Sequence, residues 1–268
     1  MRPVTFLSDY GTADEFVGVV HAVIARTAPD VRVIDLTHGV PRQGVLQGAL
    51  TLARVLPFAP AGVHLAVVDP EVGGPRRAVA LRTAGEDRVL VGPDNGLLLP
   101  AAERFGGIAA AVDLGASPWR LEPVSATFHG RDVFAPVAAR LAAGAPLEEA
   151  GTALEPVGLV PLALPVPRLE AGALVATVIG IDAFGNVSLL AEREDLERVR
   201  LAVGRRVAVE AGERTATATF ARTFADVAPG ELLVFEDAAR LAALAVNLGD
   251  AARALGVRVG DDVALRAS

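Results

Sequence analysis

Short apolar runs alternate with amphipathic stretches over the first half of the chain. Residues 4–7, 31–36 and 63–68 are brief, nearly continuous apolar runs, the kind that strands buried on both faces require. Between them, residues 14–26 carry Phe16, Val17, Val20, Val23 and Ile24 along one helical face, and 44–56 reads as a second helix. Residues 78–82 and 88–91 form a candidate strand pair ahead of the turn Gly92-Pro93-Asp94-Asn95-Gly96, and 108–114 is another apolar run. Residues 131–143 read as a helix ended by Gly144, with Pro136 either in its first turn or kinking it. This rhythm predicts an α/β domain with a mostly parallel sheet, whose ligands lie beyond the carboxyl ends of its strands.

The pattern changes after residue 155. Pro156, Pro161, Pro165 and Pro167 leave no room for a helix or a central strand, so a linker is expected at about 155–168, between domains at 1–160 and 169–268. Beyond it lie strand-like runs at 173–181, 187–190, 206–210, 215–220, 232–235 and 262–265, with one helix expected at 238–246. The second domain is therefore expected to be smaller, β-rich and barrel-like.

Composition narrows the function. With 268 residues, 52% of them hydrophobic, the chain is able to bury the core of a large domain or of two smaller ones, which excludes disorder. No stretch approaches the roughly 20 apolar residues of a membrane span, and the first nine residues meet an acid before any signal-peptide core forms, so a cytoplasmic address is expected. The absence of Cys removes disulfide and zinc-thiolate chemistry, and a net charge of −7 argues against nucleic acid as a partner. Every basic residue is Arg, which excludes lysine Schiff bases and a Walker-type phosphate loop.

Four segments stand out by residue type. Ser8-Asp9-Tyr10-Gly11 follows the first strand, where an acid accepts hydrogen bonds from a ribose diol or simply shapes a turn. Asp69-Pro70-Glu71-Val72-Gly73-Gly74-Pro75-Arg76-Arg77 follows the third, and Arg76 is placed to fold back onto Asp69 as a bidentate pair that serves either chemistry or loop geometry. Of four histidines only His129, in Thr127-Phe128-His129-Gly130-Arg131-Asp132, has a loop context with glycine and charge. The other three read as structural, and no HxxxH or HxH spacing supports a metal site. Asp182-Ala183-Phe184-Gly185-Asn186 reads equally as a plain hairpin.

Taken in order, LSDYGTADEFVG at 7–18, VVDPEVGGPRR at 67–77, GPDNGL at 92–97, TFHGRDVFAP at 127–136, IDAFGNVSL at 181–189, TFADVAPGE at 223–231 and AVNLGDA at 245–251 resemble the S-adenosylmethionine (SAM) hydroxide adenosyltransferase family, relatives of the fluorinase and chlorinase. Each motif alone is weak, and seven in order over nearly the whole chain are specific. The resemblance implies a metal-independent, cofactor-free hydrolase that converts SAM, its small-molecule substrate, to adenosine and methionine. It also implies a homotrimer whose active sites lie between one subunit's first domain and its neighbour's second. By the same resemblance Asp69, Arg76 and His129 match the trio around the nucleophilic water or hydroxide, and Asp9 matches the ribose acid. Phe184, Asn186, Phe224, Asn247 and Leu248 match positions around adenosine, and Asp14 and Asp182 match acids near the methionine ammonium. Asn95 falls within a family motif.

Three alternatives stand beside this one. A SAM-dependent halogenase is disfavoured at two positions, because halide-using relatives carry Tyr at the place of Asp69 and Tyr followed by Ser or Gly at the place of His129-Gly130, and a carboxylate repels a halide. An adenosyl-ligand binding protein with little turnover is motivated by Asp237-Ala238-Ala239-Arg240, which departs from the Asn-Ser-x-Gly type loop that grips the methionine carboxylate in the family; Arg240 stands as its substitute. A metal-dependent hydrolase would use Asp69 and His129 as ligands. Gln43 replaces an aromatic that halide-using relatives place against the ligand.

Overall fold

The computed structural model describes residues 1–267, in two compact units, Met1–Ala163 and a second beginning at Leu164. The first contains strands β1 (Val4–Ser8), β2 (Val33–Thr37), β3 (Val63–Val67), β4 (Ala78–Thr83), β5 (Val89–Pro93), β6 (Ile108–Asp113) and β7 (Thr152–Leu154). Its helices are α1 (Phe16–Thr27), α2 (Val45–Val55), α3 (Leu99–Arg104) and α4 (Ala135–Ala143). The sheet order is β2-β1-β3-β5-β4-β6-β7. The first four strands run parallel, and β4, β6 and β7 extend the sheet with antiparallel pairings.

Alternate residues of the central strands feed two cores. Val4, Phe6, Leu65 and Val67 pack with α1 and α4, whereas Leu7, Ala66 and Val68 pack with α2 and α3. Burial on both faces is why these strands read as continuous apolar runs. Each buried Leu or Phe contributes about 1.5–3 kcal/mol relative to exposure. Pro136 sits in the first turn of α4, preceded by a single wide turn at Gly130–Phe134, and Gly144 closes the helix at φ 107°. The chain leaves β1 for β2 on one side and returns to β3 on the other, so β1 and β3 flank a topological switch point. Ser8 pairs with Val67, which sets Asp9 and Asp69 just beyond two adjacent strand ends.

The second unit contains β8 (Arg168–Glu170), β9 (Ala173–Ile181), β10 (Val187–Glu192), β11 (Arg206–Ala211), β12 (Arg214–Phe220), β13 (Leu232–Glu236), β14 (Leu241–Val246) and β15 (Asp262–Ala267), with short helices α5 (Arg193–Arg198) and α6 (Ala251–Leu255). β9 pairs with both β15 and β10, closing a seven-strand barrel in the order β9-β10-β14-β13-β12-β11-β15, and β8 adds a hairpin arm. The helix expected at 238–246 is a strand. Leu-Ala-Ala-Leu-Ala is helix-prone by propensity, but Ala242 and Leu244 fill the barrel core while Ala243 and Ala245 pack on Leu233 and Phe235 outside it. Burial on both faces outweighs propensity there. The helices α5 and α6 were not foreseen; each is a single short turn or two, below the length at which periodicity is readable.

Among the described residues no helix is long and apolar enough to cross a membrane.

Candidate functional site

The loop after β3 folds back on itself. Arg76 Nε donates to Asp69 Oδ1 at 2.9 Å, and its Nη2 reaches the other carboxylate oxygen, a bidentate pair whose side chains are only 4% and 5% exposed. The same Nη2 lies 2.9 Å from His129 Nδ1. A guanidinium has donors only, so Nδ1 is the acceptor, and the neutral imidazole carries its proton on Nε2. Burial and the adjoining Arg76 charge push the His129 pKa below its usual value, against the pull of Asp69 and Asp132. Arg76 also stacks on Phe134, its Cζ 5.5 Å from the ring centroid. Three side chains from two distant segments therefore act as one unit.

Two glycines make the approach possible. Gly73, at φ 76°, lies so close to the Ala126 carbonyl that a β-carbon would overlap it, which lets the 69–76 loop press on the segment leading to His129. A β-carbon on Gly130 would overlap the Tyr10 hydroxyl. Tyr10, Phe16 and Phe128 form an aromatic wall with ring centroids 5.2 to 5.9 Å apart. Burial, then the Asp9 and Asp69 carboxylates, raise the Tyr10 pKa, so it remains a neutral phenol.

The other residues singled out in the first unit surround this cluster unevenly. Asn95 donates to the Val68 carbonyl at 2.9 Å, bracing the residue before Asp69. Asp9 Oδ2 accepts from the Gln43 N–H at 2.9 Å, with Gln43 held at φ 62°. Asp14 is exposed in the turn before α1 and makes no side-chain hydrogen bond or ion pair among the described residues. Arg77, neighbour to Arg76, goes elsewhere: it pairs with the buried Asp94, which also accepts from Val160 N at 2.9 Å. Asp132, buried and bound by Arg131 and Ser125 N, anchors the segment carrying His129, and those bonds outweigh burial to hold its carboxyl below the usual range. Neither Asp94 nor Asp132 was singled out from the sequence, although both lie inside the quoted motifs. His64 is a core residue, accepting from Arg88 at 3.2 Å and bonded to Thr5 at 2.8 Å.

In the second unit the flagged residues share one end of the barrel. Asp182 accepts from the N–H groups of Phe184 and Asn186, both at 2.9 Å, and from the Asn186 amide at 2.8 Å, which shapes the β9–β10 hairpin. That hairpin abuts the β14–α6 turn, since Gly185 accepts from Ala252 N and touches Asp250. Asn247 donates to the Val227 carbonyl at 2.8 Å, tying in the loop that begins with Phe224. Phe184 is 78% exposed and Leu248 89%. Asp237 accepts from Ala239 N and Leu241 N at one carboxylate oxygen and from Ser188 Oγ at the other, so its carboxylate is already occupied, and Arg240 lies in that turn at φ 64°.

The profile described as SAM hydroxide adenosyltransferase N-terminal domain matches residues 4–151, and that of the C-terminal domain matches 176–264. The chain belongs to the SAM hydroxide adenosyltransferase family. A Salinispora tropica protein named (R)-S-adenosyl-L-methionine hydrolase is 54% identical over 260 residues, covering 96% of this chain and 95% of its own. The crystal structure of an uncharacterized conserved protein from Thermotoga maritima superimposes with a TM-score of 0.90 at 37% identity, over 98% of this chain and 99% of that one. Fluorinases are more distant: one from an Actinoplanes species is 32% identical over 219 residues, 73% of each chain. Within this adenosyltransferase family the chain is thus similar to hydrolases first and halogenating relatives second.

Proposed function

We propose that this chain hydrolyses S-adenosyl-L-methionine to adenosine and L-methionine by attack of water at the ribose C5′. The observation that carries this is the closed contact of Asp69, Arg76 and His129. The sulfonium leaves as a neutral thioether, so breaking the C5′–S bond needs no acid, metal or other cofactor on the leaving side. What the reaction needs is a water in line with that bond, and orientation removes several kcal/mol of barrier. Asp69 accepts one water proton, His129 Nε2–H donates to the water oxygen, and the remaining lone pair attacks. As the C5′–O bond forms, the C5′–S electron pair stays on sulfur and the proton passes to Asp69. Arg76 holds both partners in place and offsets the carboxylate charge.

Around this centre, Asp9 takes the ribose diol, Asn95 holds the strand end under Asp69, and Asp14 and Asp182 face the methionine ammonium. Phe184, Asn186, Phe224, Asn247 and Leu248 enclose adenosine. In this reading the protein works in the cytoplasm as a homotrimer whose sites join one subunit's first unit to a neighbour's barrel loops. The exposure of Phe184 and Leu248 supports it, because large apolar loop tips usually await a partner or ligand. Hydrolases similar to this chain carry the prefix (R) before a separately specified L-methionine, which assigns it to the stereogenic sulfur.

The test is incubation of purified protein with each sulfonium epimer of SAM, with and without chelator and with added chloride, followed by chromatography. Adenosine and methionine in equal amounts, from the R epimer and unaffected by chelator, are the expected products. 5′-Chloroadenosine would reassign the nucleophile, and bound SAM without product would make the chain a binding protein.

A further inference from the structure

Three metal-ligating side chains meet in the first unit without any part in the hydrolytic reading. His21 lies on α1, Asp35 on β2 and His38 in the turn three residues later. His21 Nε2 is 2.8 Å from Asp35 Oδ1, His38 Nε2 is 3.1 Å from the same oxygen, and one ligand atom from each residue lies within 4.8 Å of the other two. Among the described residues no other group of three His, Cys, Asp or Glu gathers in this way.

His38 is the telling member. Its side chain is 5% exposed, and its Nε2 is buried without a hydrogen-bond partner, because the nearby Asp35 oxygen lies out of line with the nitrogen. A buried ring nitrogen left unpaired is costly and rare. The opposite nitrogen, Nδ1, is tied to Ser8 Oγ at 2.8 Å, and the Phe6 ring packs on the imidazole at 4.6 Å between centroids. The ring is therefore fixed with Nε2 facing Asp35 and His21. In the tautomer whose Nδ1–H donates to Ser8 Oγ, the Nε2 lone pair is free, the usual outer bond of a metal-ligating histidine.

We propose that His21, Asp35 and His38 bind one divalent transition-metal ion, of which Zn²⁺ is the type. Two imidazoles and a carboxylate suit zinc and its neighbours, whereas magnesium and calcium prefer oxygen throughout. Bonds of 2.0–2.1 Å to a tetrahedral ion set its ligands about 3.3 Å apart. The separations of 3.1 Å from His38 and 2.8 Å from His21 to Asp35 Oδ1 are close enough that about 0.2 and 0.5 Å of outward movement would reach it. Asp35 and part of His21 face solvent, so water completes the coordination and the ion has an entry path. No sequence spacing announces the site, because tertiary packing of α1 against the end of β2 assembles it. It shares no residue with Asp69, Arg76 and His129, so it stands or falls independently of the hydrolase reading.

The test uses the full chain without a histidine tag, stripped with chelator and dialysed, then titrated with Zn²⁺ by calorimetry and with Co²⁺ by visible absorption. One ion per chain is expected, with the intense Co²⁺ bands of four-coordination. His21→Gln and Asp35→Asn, both near the surface and tolerable to the fold, should each weaken binding by more than about 100-fold. Ser8→Ala, which frees the His38 ring, should weaken it by about 10- to 100-fold. Absence of stoichiometric uptake, or binding unchanged in both His21→Gln and Asp35→Asn, would overturn the proposal.

Discussion

The two units build their polar features in opposite ways. In the first, Asp69 and Arg76 are nearly buried and the trio meets over long sequence distances: Arg76 reaches Asp69 seven residues back and His129 53 residues on. In the barrel, three acids of the exposed turns, Asp182, Asp226 and Asp250, satisfy themselves locally. Asp182 bonds the hairpin it begins, Asp226 accepts from Arg222 N and Thr223 N, and Asp250 caps α6. Tertiary structure thus makes the reactive cluster, and local turns make a set of loops that present Phe184, Phe224 and Leu248. Change in the first unit is expected to alter chemistry and stability together, and change at the barrel loops to alter binding alone.

The strongest test of that contrast is removal of the trio. Asp69→Ala and His129→Ala are expected to lower kcat by about 10²- to 10⁴-fold with KM little changed, because their roles lie in the transition state. Arg76→Ala should do more, since it strands the nearly buried Asp69 carboxylate; losing one partner of a buried ion pair costs about 3–5 kcal/mol, visible as a lower Tm. Wild-type turnover in Asp69→Ala would remove the cluster from the reaction.

Acid should also act on one unit first, for all four histidines lie before residue 163. Burial and then the Arg88 charge push the His64 pKa down to about 3. The unfolded chain binds a proton at this imidazole near pH 6.5, so between those values the unfolded state holds more protons and stability falls as pH falls. The slope from this residue alone reaches about 1.4 kcal/mol per pH unit. Urea unfolding at pH 7 and pH 5 should show that loss, and His64→Gln should flatten it. Equal pH slopes in the two proteins would place the acid sensitivity elsewhere.

A finer probe is the packing of Gly130 under Tyr10. Gly130→Ala forces a methyl against the phenol and is expected to cost about 1–3 kcal/mol of stability, as overpacking does. Tyr10→Phe removes the clashing oxygen, so the double variant should recover part of the loss. Additive effects in the two variants would mean that the contact does not couple them.

Much of this was legible because it was local. The 173–181 strand and the first three strands showed as alternating or continuous apolar runs, and Arg76 lay close enough to Asp69 for a folded-back pair to be expected. What escaped depended on packing. Arg76 and Arg77 look alike in sequence, yet one binds Asp69 and the other Asp94. The alanine-rich β14 became a strand through burial on both faces, and His21, Asp35 and His38 gather only once α1 lies on the sheet.

The smallest expected effect lies at the barrel's tip. Leu248 is 89% exposed and held at φ 56°, a left-handed conformation that suits glycine and strains a leucine. A residue that is both exposed and strained contributes little to the fold, so its side chain has to be justified by what it touches when ligand is bound. Leu248→Gly relieves the strain while loosening the unfolded chain, and these offset to leave stability within about 0.5 kcal/mol of the parent. KM for SAM should nevertheless rise several-fold, with kcat nearly unchanged. If instead Tm falls and KM holds, Leu248 is a structural residue, and the separation of chemistry in the first unit from recognition in the barrel fails at that loop.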